Sequence, residues 1–337
     1  MLSKTLAAVL WLLLMCVSAL PQHEASPATV VPLSERLGED DGAVAAILFG
    51  AGLRGNLEVC DCANPRGGLA RRVGYTDEFK KKFSQTPVIQ LEAGQFLYDA
   101  SVRSELIMLQ NEQVARAYSR WPVDVINLGR YDLAWARKVL LRDGLAERMS
   151  ALPMLKNLIS ANGVFDSDVA APPSFIIREV SGPRVKSSRR RLRIGFVGVA
   201  APNRPSGGVY DGTVTDMFTA ARKAVLAARK RSDLLVIVAH SEMEQSERLA
   251  RENPEADVVI AGNAEAMYKP KYVGKTLLVC AAPGNTQEGD LRIYQQPGGK
   301  FTFTFRSLDL DAGVPSNAEA LAYTNEARKE LDRLRFR

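Results

Sequence analysis

The sequence has few of the side chains that bind metal ions, and it lacks long membrane-spanning runs. It contains two histidines in 337 residues, His23 and His240, which excludes any site built from several imidazole ligands. After the N-terminal segment, no apolar run reaches the roughly 18 residues that a membrane-spanning helix needs. The net charge is +6 for the full sequence and one unit lower once the N-terminal segment with Lys4 is removed. This small positive charge does not by itself indicate nucleic-acid binding. We expect no nucleic-acid partner.

The N-terminus has the pattern of a secretory signal peptide, which we place at residues 1–19. Lys4 precedes an apolar core over residues 6–17, and the small residues Val17-Ser18-Ala19 suit a signal peptidase. This pattern predicts an exported protein, periplasmic or extracellular, without stable membrane insertion after cleavage. An uncleaved anchor and lipidation at Cys16 are the alternatives.

Three cysteines remain in the expected mature chain, Cys60, Cys62 and Cys280. An oxidising compartment allows them to pair, and the odd number leaves at least one outside any intramolecular pair. One alternative is a structural disulfide to Cys280, and another is free or locally paired thiols with a redox role at Cys60 and Cys62. A third is a single-metal site that combines both thiols with further side chains: Glu58, Asp61 and His240.

Strands and helices alternate along the rest of the chain. Residues 20–42 are polar with several prolines and are predicted as a flexible tail, residues 43–312 as one α/β domain, and residues 313–337 as a C-terminal helix. The apolar patterns predict strands at 43–49, 87–91, 123–128, 193–199, 234–239 and 257–261, and helices at 69–83, 102–118 and 213–230. This order favours a mostly parallel sheet with helices outside. Three further strands, at 276–281, 290–294 and 301–308, are predicted to form an antiparallel meander.

The loops after the predicted strands resemble those of a known family. Residues 47–72, ILFGAGLRGNLEVCDCANPRGGLARR, are similar to the first motif of calcineurin-like metallophosphoesterases, in the branch formed by the N-terminal domain of secreted 5'-nucleotidases. Further similar segments follow in the family's order: 91–94, 125–132, 158–162, 173–180 with 192–199, and 257–262. The resemblance covers about residues 43–310 and implies a four-layer αββα sandwich with two mixed sheets. The resemblance does not extend to the nucleoside-selecting C-terminal half of these nucleotidases, so we expect no nucleoside specificity from that source.

The resemblance also places the residues that would hold two metal ions. His240 is the one position that keeps a family ligand. The family's other ligand or leaving-group positions carry Gly52, Arg54, Gln95, Arg130, Tyr131, Asn263 and Glu265. Because the replacements are mostly neutral or cationic, the resemblance implies neither a dinuclear metal centre nor another cofactor.

Arg54 and Arg130 fall where the family places metals. A guanidinium is a permanent cation whose planar fork matches phosphate and carboxylate, so we predict an anion-binding site at these two residues with Asn56. The alternative is that each arginine faces water or pairs with a nearby acid: Asp61, Glu92 or Asp132.

These observations leave three functions open. The first is an exported pseudoenzyme that acts as a binding or scaffold module for an anionic small molecule or a protein partner. The second is a working phosphoesterase with a metal-free or single-metal site. A bound divalent metal is expected only under this second alternative. Its residues would be His240, Asp132, Glu265, Gln95 and the two arginines, with Tyr131 and Ser241 as further acid-base candidates. The third is a thiol redox protein that acts through Cys60 and Cys62.

One basic run stands apart from these positions. Arg184, Lys186, Arg189, Arg190, Arg191 and Arg193 lie within ten residues. We interpret this run as a solvated hairpin, with contact to anionic lipid or nucleic acid as the alternative.

Overall fold

The computed structural model describes most of the chain after residue 30. The described residues are 31–98, 104–136, 151–167, 169–185, 191–202, 214–263, 269–280 and 283–335. The predicted signal peptide, His23 and Glu265 lie outside these ranges.

The elements follow the alternation that the sequence predicts. In chain order, they are α1 (Leu33–Arg36), β1 (Ala45–Gly50), α2 (Leu69–Lys82), β2 (Val88–Glu92), α3 (Glu105–Arg120), β3 (Val125–Asn127), α4 (Arg130–Trp135), β4 (Leu158–Ile159), β5 (Phe175–Ser181), β6 (Arg191–Ala200), α5 (Met217–Arg229), β7 (Leu234–His240), α6 (Met243–Glu252), β8 (Val258–Ala261), β9 (Lys271–Val273), β10 (Thr276–Cys280), β11 (Gln287–Gln295), β12 (Phe301–Asp309) and α7 (Ala318–Arg335). The predicted strands and helices all occur, with ends shifted by a few residues.

The strands form two six-stranded mixed sheets. Sheet 1 has the order β12-β11-β1-β2-β3-β4, and sheet 2 has the order β5-β6-β7-β8-β10-β9. Strands β1 to β4 of sheet 1 are parallel to one another, and so are β6, β7, β8 and β10 of sheet 2. Strands β11 and β12 in sheet 1 and β5 and β9 in sheet 2 pair antiparallel with their neighbours.

The two sheets pack face to face and carry helices on their outer faces. Alternate residues of β1, β2, β6, β7 and β8 form one apolar core between the sheets, and the intervening residues of sheet 2 pack on α5 and α6. Helices α2, α3 and α7 cover the outside of sheet 1. This is the predicted four-layer αββα sandwich, and its strands are apolar on both faces because both are covered.

The predicted antiparallel meander is wrong at its first strand. Strand β10 lies in sheet 2, parallel to β8, and only β11 and β12 form the predicted hairpin, in sheet 1. The chain changes sheets around residues 283–286, where Asn285 donates its backbone N–H to the Ala51 carbonyl of the loop after β1. An apolar strand pattern does not say which sheet the strand joins.

The end of the predicted tail is also ordered. Helix α1 lies within residues 33–36, and Leu33 and Leu37 are buried against α2. The Asp41 carboxylate accepts hydrogen bonds from Arg292 at 2.9 Å and from the Tyr294 hydroxyl at 2.7 Å. Buried leucines and ion pairs, among them Arg36 with Asp311 and Arg184 with Asp40, therefore attach this polar segment to the domain.

Helices α4 and α6 were not predicted. The sequence of α6, MEQSERLARE, is strongly polar, but Met243, Leu249 and Ala250 fall on one face and are buried against sheet 2. Within the described ranges, no helix combines the length and the apolar character required to cross a membrane.

Candidate functional site

A cavity lies where the carboxyl ends of parallel strands from both sheets meet. It has a volume of about 380 Å³ and is lined by Arg54, Gln95, Arg130, Tyr131, Ala201, Pro202, His240, Glu242, Gln245 and Asn263. The sheet topology thus brings together six of the positions singled out in the sequence, from loops after β1, β2, β3, β7 and β8. Ligands of open α/β sheets commonly bind at this edge.

The loops after β1 and β2 run side by side and hold two lining residues in an unusual conformation. The backbone N–H of Gly52 donates to the Gly94 carbonyl at 2.9 Å, and that of Arg54 donates to the Gln95 carbonyl at 3.0 Å. Arg54 and Gln95 have φ angles of 51° and 59°, in the left-handed region that non-glycine residues seldom adopt. Such conformations persist where surrounding contacts fix them, often at functional sites.

Asp132 connects the loops behind the cavity. Its Oδ2 atom accepts backbone N–H groups from Gln95 at 2.6 Å and Gly129 at 2.8 Å, and its Oδ1 atom accepts that of Leu97 at 2.9 Å. The side chain is fully buried, and burial raises the pKa of Asp132 to about 8 despite these donors. Among the acid-base candidates, Asp132 is therefore a structural link between loops and does not line the cavity.

His240 ends β7 in a tightly enclosed position. A Cβ atom on Gly94 would approach the imidazole to 3.0 Å, and one on Gly129 would lie 3.0 Å from its Cγ atom, so glycines at these positions leave room for the ring. The Nε2 atom lies 3.3 Å from Oε1 of Gln95, an oxygen that can only accept. Burial, together with the charges of Arg130 and Arg54, lowers the pKa of His240 to about 3. The ring is consequently neutral at physiological pH.

Arg54 and Arg130 face the cavity without a carboxylate partner among the described residues. Arg54 is exposed. Arg130 places its guanidinium carbon 4.5 Å from the ring centroid of Tyr131 and donates from Nη2 to the Tyr131 hydroxyl at 2.9 Å. The alternative in which the arginines pair with Glu92 or Asp132 is wrong, because Glu92 is bound by Arg72 and Asp132 by backbone amides.

The described residues of the cavity do not fit a dinuclear metal centre. The donors among them are one imidazole, neutral amides, the phenol of Tyr131 and the carboxylate of Glu242, beside two permanent cations. Two divalent ions need several anionic or imidazole donors held close to both. Across the part of the chain that the structure describes, no three His, Cys, Asp or Glu side chains are grouped to hold a metal ion.

Asn56 and Ser241 have structural contacts outside the cavity lining. The Asn56 Oδ1 atom accepts the backbone N–H of Glu58 at 2.9 Å and shapes the loop after Arg54. Ser241 is buried, with its Oγ atom 2.8 Å from that of Ser246. The geometry therefore brings neither the predicted anion ligand Asn56 nor the acid-base candidate Ser241 to the cavity.

Cys60 and Cys62 are joined to each other in the structure. Because these two sulfurs are joined to each other, the structure does not pair either of them with Cys280, which is buried at the end of β10. Glu58, a proposed partner of these thiols at a metal, forms an ion pair with Arg328 of α7 at 3.2 Å.

Sequence reasoning missed four residues of the lining: Ala201, Pro202, Glu242 and Gln245. Their signal was positional, because Ala201 and Pro202 follow β6, Glu242 lies in the turn after β7, and Gln245 lies in the first turn of α6. Their places directly after predicted parallel strands indicate the first three, whereas Gln245 depends on a helix that the sequence pattern did not predict.

A buried ionic cluster lies in sheet 1 next to the site loops. Arg72 of α2 donates to the Glu92 carboxylate at 2.8 Å, and its Nε atom is 3.4 Å from the Glu288 carboxylate. The Tyr118 hydroxyl donates to the same Glu92 oxygen at 2.6 Å. Burial raises the pKa of Glu92, and it raises the pKa of Glu288 to about 7.

The described part of the basic run is paired with acids. Arg184 binds Asp40, Arg191 lies 3.1 Å from Glu179, and Arg193 lies 2.8 Å from Asp233. Lys186, Arg189 and Arg190 lie outside the described residues. These pairs favour the interpretation as a solvated hairpin.

The comparisons with known proteins agree with this architecture. No family model matches the chain. An uncharacterized metallophosphoesterase of Bacillus subtilis strain 168, YunD, is 27% identical over 101 residues, which cover 29% of this chain and 21% of that protein. The 5'-nucleotidase precursor of Thermus thermophilus superposes with a TM-score of 0.67 at 17% identity, covering 86% of this chain and 59% of that one. The calcineurin-like phosphoesterase YfkN of Bacillus subtilis gives a TM-score of 0.61 at 13% identity, covering 86% and 98%.

The chain has the fold of the calcineurin-like phosphoesterases and 5'-nucleotidases. The predicted resemblance is thereby confirmed at the level of the fold. The alignment spans less than two thirds of the Thermus nucleotidase and about a fifth of YunD, which carry further sequence beyond the matched parts.

Proposed function

We propose that this chain is an exported protein of the metallophosphoesterase fold that binds an oxyanion in its cavity and does not hydrolyse esters with two metal ions. The observation that carries the proposal is the pair of guanidinium groups, Arg54 and Arg130, which line one cavity and have no carboxylate partner among the described residues. The pair supplies two positive charges at an edge of the sheets where the fold commonly binds ligands.

The chemistry of the lining supports an anion over a cation. Guanidinium groups match the oxygens of phosphate in geometry and stay charged at any physiological pH. Gln95, Asn263 and Tyr131 offer neutral donors beside them, while the Glu242 carboxylate disfavours an anion at its own end of the cavity. A volume of about 380 Å³ accommodates a small organic phosphate as well as the inorganic ion.

Calorimetric titration with inorganic phosphate tests this proposal. We expect Arg54→Ala and Arg130→Ala each to weaken binding by about tenfold or more, because each removes a charge-assisted contact. Arg116→Ala is the matched control, since Arg116 is an exposed arginine on α3 that pairs with Glu112 away from the cavity. Equal affinity in all four proteins, or no binding by the wild type, would end the proposal.

Metal analysis separates this proposal from a working phosphoesterase. Purified protein dialysed against manganese is expected to retain no stoichiometric metal and to leave an aryl phosphate unhydrolysed. Two bound equivalents together with turnover would overturn the non-hydrolytic interpretation and leave the fold assignment intact.

Export is the second part of the proposal and has its own test. Expression of the full chain with its N-terminal segment should deliver a product that begins after Ala19, as read by N-terminal sequencing of the exported fraction. An uncut product retained in the cytoplasm would contradict export.

A further inference from the structure

A second chemical feature of the structure lies outside the anion cavity. Cys60 and Cys62 are joined in the loop between β1 and α2, and neither lines the cavity. Cys62 is exposed and Cys60 half-buried. The pair is therefore within reach of a reactant from solution, whereas Cys280 is buried.

Hydrogen bonds and ion pairs hold this loop in place in addition to the sulfur–sulfur bond. The Cys60 N–H donates to the Arg66 carbonyl at 2.8 Å, and the Arg66 N–H donates back to the Cys60 sulfur at 3.2 Å. Arg66 also forms an ion pair with Asp309 at 3.1 Å, and the Glu58 end of the loop is bound to Arg328. The loop thus has enough contacts to keep its path when the two sulfurs separate.

Stability gives little reason for a link of this kind. The restriction that a disulfide places on the unfolded chain increases with the logarithm of the length of the loop it closes, and this one closes the short loop across a sequence separation of two residues. A link of such low stabilising value on an exposed surface is better suited to being made and broken.

We propose that Cys60 and Cys62 form a reversible dithiol–disulfide site that exchanges two electrons with a small thiol or a dithiol protein. In the reducing direction, a thiolate of the reductant attacks the exposed Cys62 sulfur, the Cys60–Cys62 bond breaks, and Cys60 leaves as a thiolate. A second thiol of the reductant then attacks the mixed disulfide. Cys62 is released, the reductant becomes a disulfide, and two protons from the reductant's thiols end on Cys60 and Cys62.

The surroundings give the two sulfurs different roles. The backbone N–H of Arg66 points at the Cys60 sulfur, and a donor at this position stabilises a thiolate and makes it the better leaving group. Cys62 has greater solvent exposure and instead lies 3.1 Å from the Asn64 carbonyl oxygen, which gives a thiolate no such stabilisation. Cys62 is therefore the sulfur that the partner attacks.

Native thiol labelling of the folded mature protein tests the proposal. The protein is equilibrated with dithiothreitol, alkylated without denaturant and mapped by mass spectrometry. We expect two alkyl groups, on Cys60 and Cys62, with Cys280 labelled only after denaturation, and complete return to the disulfide in oxidised glutathione. The melting temperature should change by less than about 4 °C between the two forms.

The intact pair separates the roles of the two sulfurs and completes the test. When the wild-type disulfide is exposed briefly to reduced glutathione and the reaction is stopped by alkylation, trapping of glutathione should be at least about tenfold faster on Cys62 than on Cys60, and the released Cys60 thiol should carry the alkyl group. A pair that resists dithiothreitol until the protein unfolds is a structural disulfide and overturns the proposal. So do thiols that remain unpaired in oxidised glutathione, a fold that is lost on reduction, and equal trapping rates.

Discussion

At the scale of single residues, the environment of His240 opposes its protonation. The imidazole is enclosed by Gly94 and Gly129, and the positive charges of two arginines disfavour a further charge on the ring. Its Nε2 atom contacts the amide oxygen of Gln95, whereas a catalytic histidine often binds a carboxylate. A neutral, buried ring of this kind positions a neighbour and is a poor acid catalyst near neutral pH.

The lowered pKa of His240 makes the stability of the protein depend on acid. The unfolded chain takes up a proton near the ordinary histidine pKa, whereas the folded chain takes it up only near pH 3, so this group destabilises the fold increasingly as pH falls from 6.5. Between pH 7 and pH 4.5, we expect it to lower the free energy of unfolding by about 2 to 3 kcal/mol. Urea unfolding of wild type and His240→Gln at both pH values measures the difference. Parallel losses in both proteins would contradict the assignment.

Asp132 gives a second prediction at this scale. Asp132→Ala leaves three amide N–H groups of the site loops without their acceptor and should cost about 3 kcal/mol or more. Asp132→Asn keeps one oxygen, which can still accept from Gln95 and Gly129, and should cost clearly less. Denaturant midpoints of the two variants show which one loses more stability. A larger loss for Asp132→Asn would show that Asp132 does not stabilise the fold by accepting these backbone N–H groups.

At the scale of elements, Arg72 connects helix α2 to two strands of sheet 1. Its guanidinium lies between the buried carboxylates of Glu92 on β2 and Glu288 on β11. Breaking a buried ion pair by removing one partner costs more than an exposed pair contributes, because the remaining charge stays buried.

Removing Arg72 should therefore destabilise the fold strongly and in a pH-dependent way. We expect Arg72→Met to lose about 3 to 5 kcal/mol of unfolding free energy at pH 8. The loss should be smaller at pH 5.5, because burial already raises the pKa of Glu288 to about 7 and protonation removes its charge. Adding Glu92→Gln to this variant should restore part of the stability. Guanidinium unfolding at both pH values measures these effects, and a pH-independent loss would refute the charge explanation.

The same scale shows what a sequence pattern can and cannot predict. Apolar runs placed β1, β2, β6 and β7 within a few residues, and the helix predicted at 69–83 buries a face formed by Leu69, Val73, Thr76, Phe79 and Phe83. The pattern could not tell that β10 leaves its expected hairpin for sheet 2, because that choice depends on pairing with β8, a segment distant along the chain. The sequence did not predict the cluster of Arg72, Glu92 and Glu288 for the same reason, because these residues meet only when α2, β2 and β11 pack together.

At the scale of the whole molecule, the site was predictable in position but not in its contacts. Ligands of open α/β sheets commonly bind at the carboxyl ends of parallel strands. Residues that the sequence places after such strands do line one cavity: Arg54, Gln95, Arg130, His240 and Asn263. Sequence could not show that the arginines have no acidic partner within the described ranges, because that depends on Glu92 and Asp132 being bound by groups of other elements. The expected role of Asn56 remains a prediction that the geometry does not favour.

Ligand binding should be visible in the stability of the entire domain. Phosphate at about 100 times its dissociation constant should raise the free energy of unfolding by about 2.7 kcal/mol and the melting temperature by several degrees. Manganese chloride at equal ionic strength should not, because the described lining residues do not form a suitable donor set. Thermal scans of the wild type and Arg54→Ala measure both effects. Stabilisation by manganese alone would favour the metal-dependent alternative.

Strand β7 lies between β6 and β8, and all seven of its residues are buried. Its amide protons should exchange with deuterium only when the domain opens completely, whereas those of the loops that carry Arg54 and Gln95 can exchange through local openings. An occupied cavity would slow deuterium uptake in these loops by suppressing their local openings. It would also slow exchange of the β7 amides, because a bound ligand raises the free energy of the complete opening through which they exchange. The loops would thus report ligand residence, and β7 the stability that the ligand adds to the whole domain.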